Sequence, residues 1–385
     1  MKILVNATPL LSPWTGIGQY IHNLFTAMQQ QEAELHMAYG LKVVRGYTQA
    51  PTVGAAQAPW LRQLALKVLP NPRATKRMVE ELMFRHKTRH GLRGAIYHEP
   101  NYLPMKFEGP LVLTVCDMSC FDHPETHPKE RVRLMNEGMP AAIERADHMV
   151  VISQDSKLAL QRWFGVPDEK ITVTYLAANP AFRLIEPAQL AAPLAGFGLS
   201  PKSYVLTVGT LEPRKNLSTL FAAFAKLPKA LRQRFPLVVV GMKGWKYDDL
   251  MGEAQTLVND GELRFLGYVD DAQMPAIYAG AAAFCYPSRY EGFGLPALEA
   301  MASGVPVLTS NATSLPEVVG HAGLMVDPDD VGGMCDSLAL LLEDASTAHH
   351  MAELGLARAR TFSWERCAQE TLAVYQQVAH ANGLL

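Results

Sequence analysis

Hydrophobic positions along this chain fall into short apolar runs of strand length, alternating with longer stretches of helical periodicity. In the first half the runs are I-L-V-N-A (3–7), L-H-M-A-Y (35–39), A-I-Y-H (95–98), L-V-L-T-V (111–115), H-M-V-V-I (148–152) and I-T-V-T-Y (171–175). In the second half they are Y-V-L-T-V-G (204–209), L-V-V-V-G (237–241), R-F-L-G (264–267), A-A-F-C-Y-P (282–287), V-P-V-L-T (305–309) and G-L-M-V-D (323–327). Apolar strands separated by periodic helices are the pattern of parallel sheets covered by helices. Six strands lie on either side of a Pro/Ala-rich, linker-like stretch (177–194). The expectation is an α/β protein of two doubly wound domains, 1–182 and 183–363. A chain of 385 residues exceeds one ordinary core, which agrees. The tail 362–378 opens with a Ser363 cap signal and reads as a last helix, within 364–385, that packs back on the first domain. Two such domains put their strand C-termini face to face across a cleft, where ligands bind.

Composition narrows the class. With 49% hydrophobic and 19% charged residues, the chain is of ordinary soluble, globular type. Its apolar runs fall far short of the roughly 20 residues a spanning helix needs. The N-terminus reads as a first strand rather than a secretion signal, so a cytoplasmic protein is expected. The net charge of −2 hides a split, +4 up to residue 195 and −6 beyond it. Most of the basic excess lies in 60–93, where nine Lys/Arg meet only Glu80 and Glu81, with Trp60, Leu64, Leu66, Met83 and Phe84 interleaved. A basic amphipathic stretch of this kind can lie peripherally on an anionic membrane face, or be a solvated helix packing its apolar side inward. No reader motif accompanies the charge, so nucleic acid is not expected as a partner. Five scattered cysteines read as free thiols, and Cys116-x-x-x-Cys120 lacks the second pair a zinc site requires. Residues 46–59 are compositionally loose and read as a mobile loop.

The run E-G-F-G-L-P-A-L-E, bracketed by Glu291 and Glu299, carries the most chemistry. Glu291 falls in a glycine-containing loop and Glu299 one turn into a helix that opens at Pro296, a residue favoured at the first helical position. A helix N-terminus offers unpaired N–H groups to an anion, and carboxylates accept hydrogen bonds from hydroxyls. Phosphate and polyol together suggest a nucleotide sugar. Taken singly, Glu299 is equally a residue complementing the helix dipole and Glu291 a loop charge. As a pair they could also be the acid and nucleophile of a glycosidase. Arg214 and Lys215, in T-L-E-P-R-K-N-L after the strand ending at Gly209, favour the first reading. A planar fork and a point charge at a strand end suit a pyrophosphate, with Asn216 placed to cap the next helix.

Other candidates are weaker. T-G-I-G-Q-Y (15–20) follows strand one, but Ile21 stands where a dinucleotide fingerprint has its third glycine. Asp117, His98 and Glu99 sit at strand ends and could meet a hydroxyl. Asp327-Pro328-Asp329 matches a metal-binding D-x-D, yet reads as a turn and helix cap.

With these pieces placed, the chain resembles a retaining glycosyltransferase of the GT-B fold, in the large family numbered four, over nearly its full length. The resemblance rests on T-G-I-G, A-D-H-M-V-V-I-S (146–153), V-G-T-L-E-P-R-K-N (208–216), F-L-G-Y-V (265–269), E-G-F-G-L-P-A-L-E and M-A-S-G-V-P-V (301–307). It implies that Arg214 and Lys215 hold the diphosphate, that Glu299 accepts from the ribose, and that Glu291 contacts the donor sugar. Gly292, Phe293, Gly294 and Leu295 would line sugar and phosphate through their backbone. Thr210 would belong to the same phosphate loop, Tyr268 and Val269 would seat the base, and Gly16 and Gly18 would close over the phosphates. The family works without a metal or other cofactor, and the leaving diphosphate itself can draw the acceptor's proton. Asp117 would join Arg214, Lys215 and Glu291 at the reacting centre. One departure stands out: the family often has His-Asp where this chain has Cys116-Asp117, and that His touches the donor sugar near its 6-hydroxyl. A thiol is a weak hydrogen-bond partner, so either the donor is a 6-deoxy sugar such as GDP-rhamnose or the 6-hydroxyl is read elsewhere. The resemblance itself implies GDP-mannose as the donor. The acceptor implied is a lipid-linked or growing polysaccharide at the cytoplasmic membrane face, as in mannosyltransferases of bacterial O-antigen assembly. A UDP-sugar transferase, a sugar-nucleotide epimerase and an inactive binding subunit stay open as alternatives.

Overall fold

The structure, a computed structural model, describes residues 1–11, 16–31, 33–40, 42–47, 81–88, 91–245 and 247–385. Among these residues the strands form two separate sheets. The first holds β1 (Lys2–Asn6), β2 (Glu34–Tyr39), β3 (Lys42–Arg45), β4 (Ile96–Glu99), β5 (Leu111–Val115), β6 (His148–Val151) and β7 (Ile171–Val173). Its order is β3-β2-β1-β4-β5-β6-β7, parallel except for β3. The second holds β8 (Val205–Val208), β9 (Leu237–Val240), β10 (Leu263–Gly267), β11 (Ala283–Tyr286), β12 (Val307–Ser310) and β13 (Leu324–Val326), all parallel in the order β10-β9-β8-β11-β12-β13. Strands buried on both faces explain the near-continuous apolar runs: Leu111–Val115 and Leu237–Val240 are buried throughout.

The twelve strands expected from the apolar runs are all present, shifted by at most two residues. The antiparallel edge strand β3 was not anticipated. Its K-V-V-R is exposed at both ends and half-buried between, so it carries no core signal. The 177–194 stretch is also not wholly a linker. Pro187–Ala195 is a helix with Pro in its first turn, and Leu190 and Leu194, one turn apart, are buried beneath it.

In each sheet the chain winds outward in both directions from the middle. The switch lies between β1 and β4 in the first and between β8 and β11 in the second. Ligands of such sheets bind outside the strand C-termini at these points. The loops there are 209–216 after β8 and 287–294 after β11, which hold the Arg-Lys pair and the glutamate run.

The last helix, Trp364–Ala381, starts at Ser363, whose Oγ accepts the Arg366 N–H at 3.1 Å, and lies against the first helix, Gly16–Gln30. Tyr375 of that helix reaches into the first domain, its hydroxyl 2.5 Å from His98 Nδ1, while His98 Nε2 lies 2.7 Å from Thr114 Oγ1. His98 and Glu99 are therefore interior groups, not cleft residues. Glu99 accepts from Asn6 Nδ2 at 2.8 Å, Tyr97 Oη at 2.6 Å and the Asn101 N–H at 3.1 Å. Burial on both faces of the sheet turned both side chains inward to structural partners.

The two domains touch around the cleft. Met118 N–H donates to Tyr290 Oη at 3.1 Å, Gln19 Nε2 to Asp271 Oδ2 at 3.1 Å, and Trp245 Nε1 to the Thr126 carbonyl at 2.7 Å. Glu317 accepts the Gln154 and Asp155 N–H groups at 2.9 and 3.1 Å, capping the N-terminus of helix Gln154–Phe164 across the domain boundary.

Residues 48–59 and 60–80 lie outside the described residues, and with them most of the loose loop and of the basic segment. Of the latter, 81–88 is helical, with Phe84 buried and Leu82 exposed. Among the described residues no helix is long and apolar enough to cross a membrane.

Candidate active site

Beyond β8 the chain makes a 3-10 turn, Pro213–Lys215, which points both cations back over the sheet edge. Beyond β11 the loop Ser288–Gly294 crosses in front of it, and the Arg289 N–H donates to the Arg214 carbonyl at 2.9 Å. This brings together side chains far apart in sequence. Lys215 Nζ lies 2.6 Å from Glu291 Oε1 and 2.6 Å from Tyr286 Oη. Arg214 Nη1 lies 3.0 Å from Glu291 Oε2 and 2.6 Å from the Tyr290 carbonyl, and Nη2 lies 2.9 Å from Glu212 Oε1. Two half-buried cations thus meet the buried Glu291 and the half-buried Glu212, a network in which every charge has a partner.

The electrostatics follow from that packing. Burial alone would raise the Glu291 carboxyl, but Lys215 and Arg214 overcome it and hold its pKa at about 2. Burial works against the charge on Arg214 too, yet Glu291, Asp117 and Glu212 keep its pKa above the ordinary value. For Lys215 burial prevails and lowers the pKa, against the pull of Glu291. Glu299 differs. It sits on helix Leu295–Ala302, where Tyr278 and Asp271 act on its carboxyl. Burial raises its carboxyl to about 8, the Tyr278 hydroxyl opposing the rise and Asp271 adding to it.

The glutamate loop is fixed from both sides. Ser314 Oγ donates to the Glu291 and Phe293 carbonyls at 2.8 and 2.9 Å, and the Glu291 N–H donates to Thr313 Oγ1 at 3.0 Å. Gly294 precedes the helix with φ +108°, a conformation that favours glycine. At Gly292 a Cβ would stand 2.2 Å from the Cys116 carbonyl oxygen and 2.9 Å from Asp117 Cβ, so no side chain fits. That approach seats Asp117 of the first domain against the second domain's loop. Asp117 Oδ1 accepts from the Ser119 N–H and hydroxyl at 2.9 and 2.6 Å, and Ser119 Oγ lies 2.8 Å from His127 Nε2.

The structure therefore gathers Arg214, Lys215 and Glu291, with Asp117 and the backbone of Gly292 beside them. Gly294 and Leu295 follow at the helix start, with Phe293 buried between. Thr210 lies in the loop after β8. Glu299 makes no bond to that cluster among the described residues; Tyr278 and Asp271 are the groups that act on it. Tyr268 is exposed and Val269 buried. Gly16 and Gly18 are in the first turn of helix Gly16–Gln30, whose Gln19 bonds Asp271.

Asn216 does not cap the following helix through its side chain. It adopts φ +57°, and its Nδ2 donates instead to the Pro287 and Pro328 carbonyls at 3.0 and 2.7 Å, tying three strand-end loops together. Asp327 Oδ1 accepts the Asp329 N–H at 2.8 Å and Asp330 caps helix Val331–Glu343, so the D-P-D run is a turn and cap. Cys116 is buried, its thiol pushed up by that burial, and its carbonyl accepts from Ser156 Oγ at 3.1 Å. Tyr286, Tyr290, Ser119 and His127 were missed by the sequence reading. Tyr290 immediately precedes Glu291 and Tyr286 ends an apolar run, so both were within reach. His127, in H-P-E-T-H-P, carries only turn signals.

With this geometry in place, comparison with other proteins decides the family. Residues 198–358 match the family model described as Glycosyl transferases group 1. Over 384 residues the chain is 37% identical to an O-antigen chain mannosyltransferase B of Escherichia coli, covering 98% of this chain and all of that protein. The chain belongs to the group 1 glycosyl transferases. Its two parallel-sheet domains have the GT-B fold. Sucrose-phosphate synthase of Thermosynechococcus elongatus superposes with TM-score 0.75 at 22% identity, covering 99% of both chains. Alr3699/HepE of Anabaena, solved in complex with UDP-glucose, superposes with TM-score 0.71 at 18% identity, covering all of both chains. This group 1 transferase is thus an α/β glycosyltransferase of two Rossmann-like domains, with its charged cluster at the cleft.

Proposed function

We propose that the chain transfers mannose from GDP-mannose to a growing or lipid-linked surface polysaccharide of the O-antigen kind, with retention at the anomeric carbon and without a metal. The observation that carries this reading is the Arg214–Lys215–Glu291 cluster at the second sheet's switch point, pressed against Asp117 of the opposite domain. Full-length likeness to an O-antigen chain mannosyltransferase B supports the choice of sugar and acceptor.

In this reading Arg214 and Lys215 take the donor diphosphate as it becomes the leaving group. Their pairing with Glu291 and Glu212 orients both cations in a half-buried loop and opposes the burial that works against their charge. A diphosphate at the start of helix Leu295–Ala302 competes for the same cations and frees Glu291 toward the sugar hydroxyls. Glu299 accepts from the ribose, between the Tyr268–Val269 base loop and the cluster. Gly292–Leu295 offer backbone groups, and Gly16 and Gly18 close over the phosphates from the first domain. The acceptor proton passes to the departing diphosphate while the new bond forms on the same face, so positioning and charge stabilisation supply the rate. Asp117 helps hold the acceptor hydroxyl. Residues 60–93 dock the chain on the cytoplasmic membrane face.

Thermal stabilisation by GDP, UDP, ADP and dTDP tests the base, since only the matching nucleotide should raise the melting point strongly. Strong stabilisation by UDP alone would replace GDP. One observation favours a second donor: Cys116 stands where the resemblance implies a histidine for the sugar's 6-hydroxyl. Rates with GDP-mannose and GDP-rhamnose on one preparation separate the two, and a clear preference for mannose removes the 6-deoxy sugar.

A further inference from the structure

Behind Asp117 stand two buried side chains, Ser119 and His127, 1% and 8% exposed. Asp117 Oδ1 accepts from the Ser119 hydroxyl at 2.6 Å, and the same Ser119 Oγ lies 2.8 Å from His127 Nε2. The hydroxyl has one proton and a carboxylate oxygen only accepts, so that proton is committed to Asp117. Oγ then accepts from the imidazole, which puts a proton on Nε2 and, in the neutral ring, leaves the lone pair on Nδ1. Burial, Arg131 and Arg214 lower the His127 pKa against the pull of Asp117 and Glu212, and so favour that neutral ring.

The direction of this chain decides between two roles. A histidine that drains a proton from Asp117 through Ser119 needs a bare Nε2, and here Nε2 is the donor. What the chain can do is hold Oδ1. The backbone needs no such help. The Asp117 N–H donates to Tyr102 Oη and the Met118 N–H to Tyr290 Oη, both at 3.1 Å, and the Ser119 N–H closes the turn on Oδ1 at 2.9 Å. His127 is set by its own N–H, which donates to the Pro124 carbonyl at 3.2 Å just before helix Lys129–Arg145. Ser119 and His127 therefore add the orientation of a carboxylate rather than the shape of a loop.

Orientation matters because of what faces it. The charge of Asp117 is felt at Arg214, where it raises the guanidinium pKa. Yet the Arg214 side chain spends its hydrogen bonds on Glu212, Glu291 and the Tyr290 carbonyl, and none joins it to Asp117 among the described residues. A carboxylate free to rotate would be drawn onto that guanidinium as an ion pair. It would then occupy the cation that a diphosphate has to reach.

We infer that His127 is a positioning residue: acting through Ser119, it pins Asp117 in the orientation that leaves Arg214 open to the diphosphate. The inference rests on the diphosphate seat proposed above, and adds the device that keeps the opposite domain's carboxylate off it.

The test is a double-mutant cycle on the full chain, read as calorimetric binding of GDP and of UDP. Its members are the wild type, His127→Ala, Asp117→Asn and the double variant, with His127→Gln as the conservative replacement that keeps an N–H near the Nε2 position. His127→Ala should weaken the nucleotide that the wild type binds by about three- to tenfold, and His127→Gln by less than about twofold. In the Asp117→Asn background no charge can swing onto Arg214, so there His127→Ala should change affinity by less than about twofold. Equal losses in both backgrounds would mean that His127 merely supports the fold, and would overturn the inference. Unchanged affinity in His127→Ala would overturn it too. If His127→Ala does not fold, Ser119→Ala takes its place in the same cycle, with the same expected coupling. Nitrogen NMR of labelled histidine reads the direction of the chain independently. The signals lost in His127→Gln should be those of a ring protonated at Nε2, and a proton on Nδ1 alone would overturn the chain. Binding of neither nucleotide by the wild type would sink the diphosphate seat and this inference with it, whereas binding without the expected coupling overturns the inference alone.

Discussion

Glu291 and Glu299 end the same nine-residue run, but their surroundings drive them in opposite directions. Glu291 is buried against two cations and held ionised, with a pKa near 2. Glu299 is half-buried, with a tyrosine and another carboxylate acting on it, and its pKa rises to about 8. The first belongs to a network that organises charge before any phosphate arrives. The second is shifted toward its protonated form, and a partner that rewards the ionised form works against that shift. The contrast shows why residue type and spacing alone do not assign roles here. The deciding cations come from a loop 76 positions away in sequence.

The comparison can be broken most forcefully at Glu291. Glu291→Ala takes one partner from each of two half-buried cations, which keep Glu212, the Tyr290 carbonyl and Tyr286, and should destabilise the fold by about 2–3 kcal/mol in denaturant unfolding. A loss below about 1 kcal/mol would mean the network does not hold the loop. Next comes turnover. Lys215→Ala or Arg214→Ala should lower kcat by about 10²–10³, as removal of a charge-stabilising donor does. Near-normal kcat in both variants would dissolve the leaving-group assignment.

Glu299 should act on affinity more than on fold. Glu299→Ala should weaken nucleotide binding about ten- to hundredfold, equivalent to about 1.5–3 kcal/mol for a charged hydrogen bond. If the residue merely complemented the helix dipole, the loss would stay within about 1 kcal/mol.

The smallest effect is the pH dependence, where the two acids have opposite signs. Glu291, depressed from 4.5 to about 2, contributes stability that is present above pH 4.5 and lost as pH falls through 2. Glu299, raised from 4.5 to about 8, contributes stability that is full below pH 4.5 and lost as pH rises through 8. A ribose that prefers the ionised carboxylate therefore binds more tightly as pH rises toward 8, by at most about tenfold per unit, and levels off above it. Glu299→Gln should flatten both the affinity slope and the alkaline loss of stability. A wild-type affinity flat from pH 6 to 9 would remove Glu299 from the ribose.

Much of this could be read from residue order. Parallel strands buried on both faces leave unbroken apolar runs, so twelve of them stood out, whereas the half-exposed K-V-V-R of β3 did not. The phosphate loop and the glutamate run were visible because glycine, proline and charge mark strand-to-helix turns. What stayed hidden were long-range pairings. His98 and Glu99 looked like cleft residues until Tyr375, from the far end of the chain, and Asn6 claimed them. Asn216 looked like a cap, but its amide is spent on two carbonyls of distant loops. Pro187–Ala195 looked like a linker because its two prolines mask the Leu190–Leu194 turn.

The central claim is that Lys215 and Arg214 form the diphosphate seat, and comparing GDP with guanosine by calorimetry tests it most directly. The wild type should bind GDP far more tightly than guanosine, and Lys215→Met should remove most of that advantage while leaving guanosine affinity unchanged. An equal preference for GDP in the wild type and the variant would contradict the account.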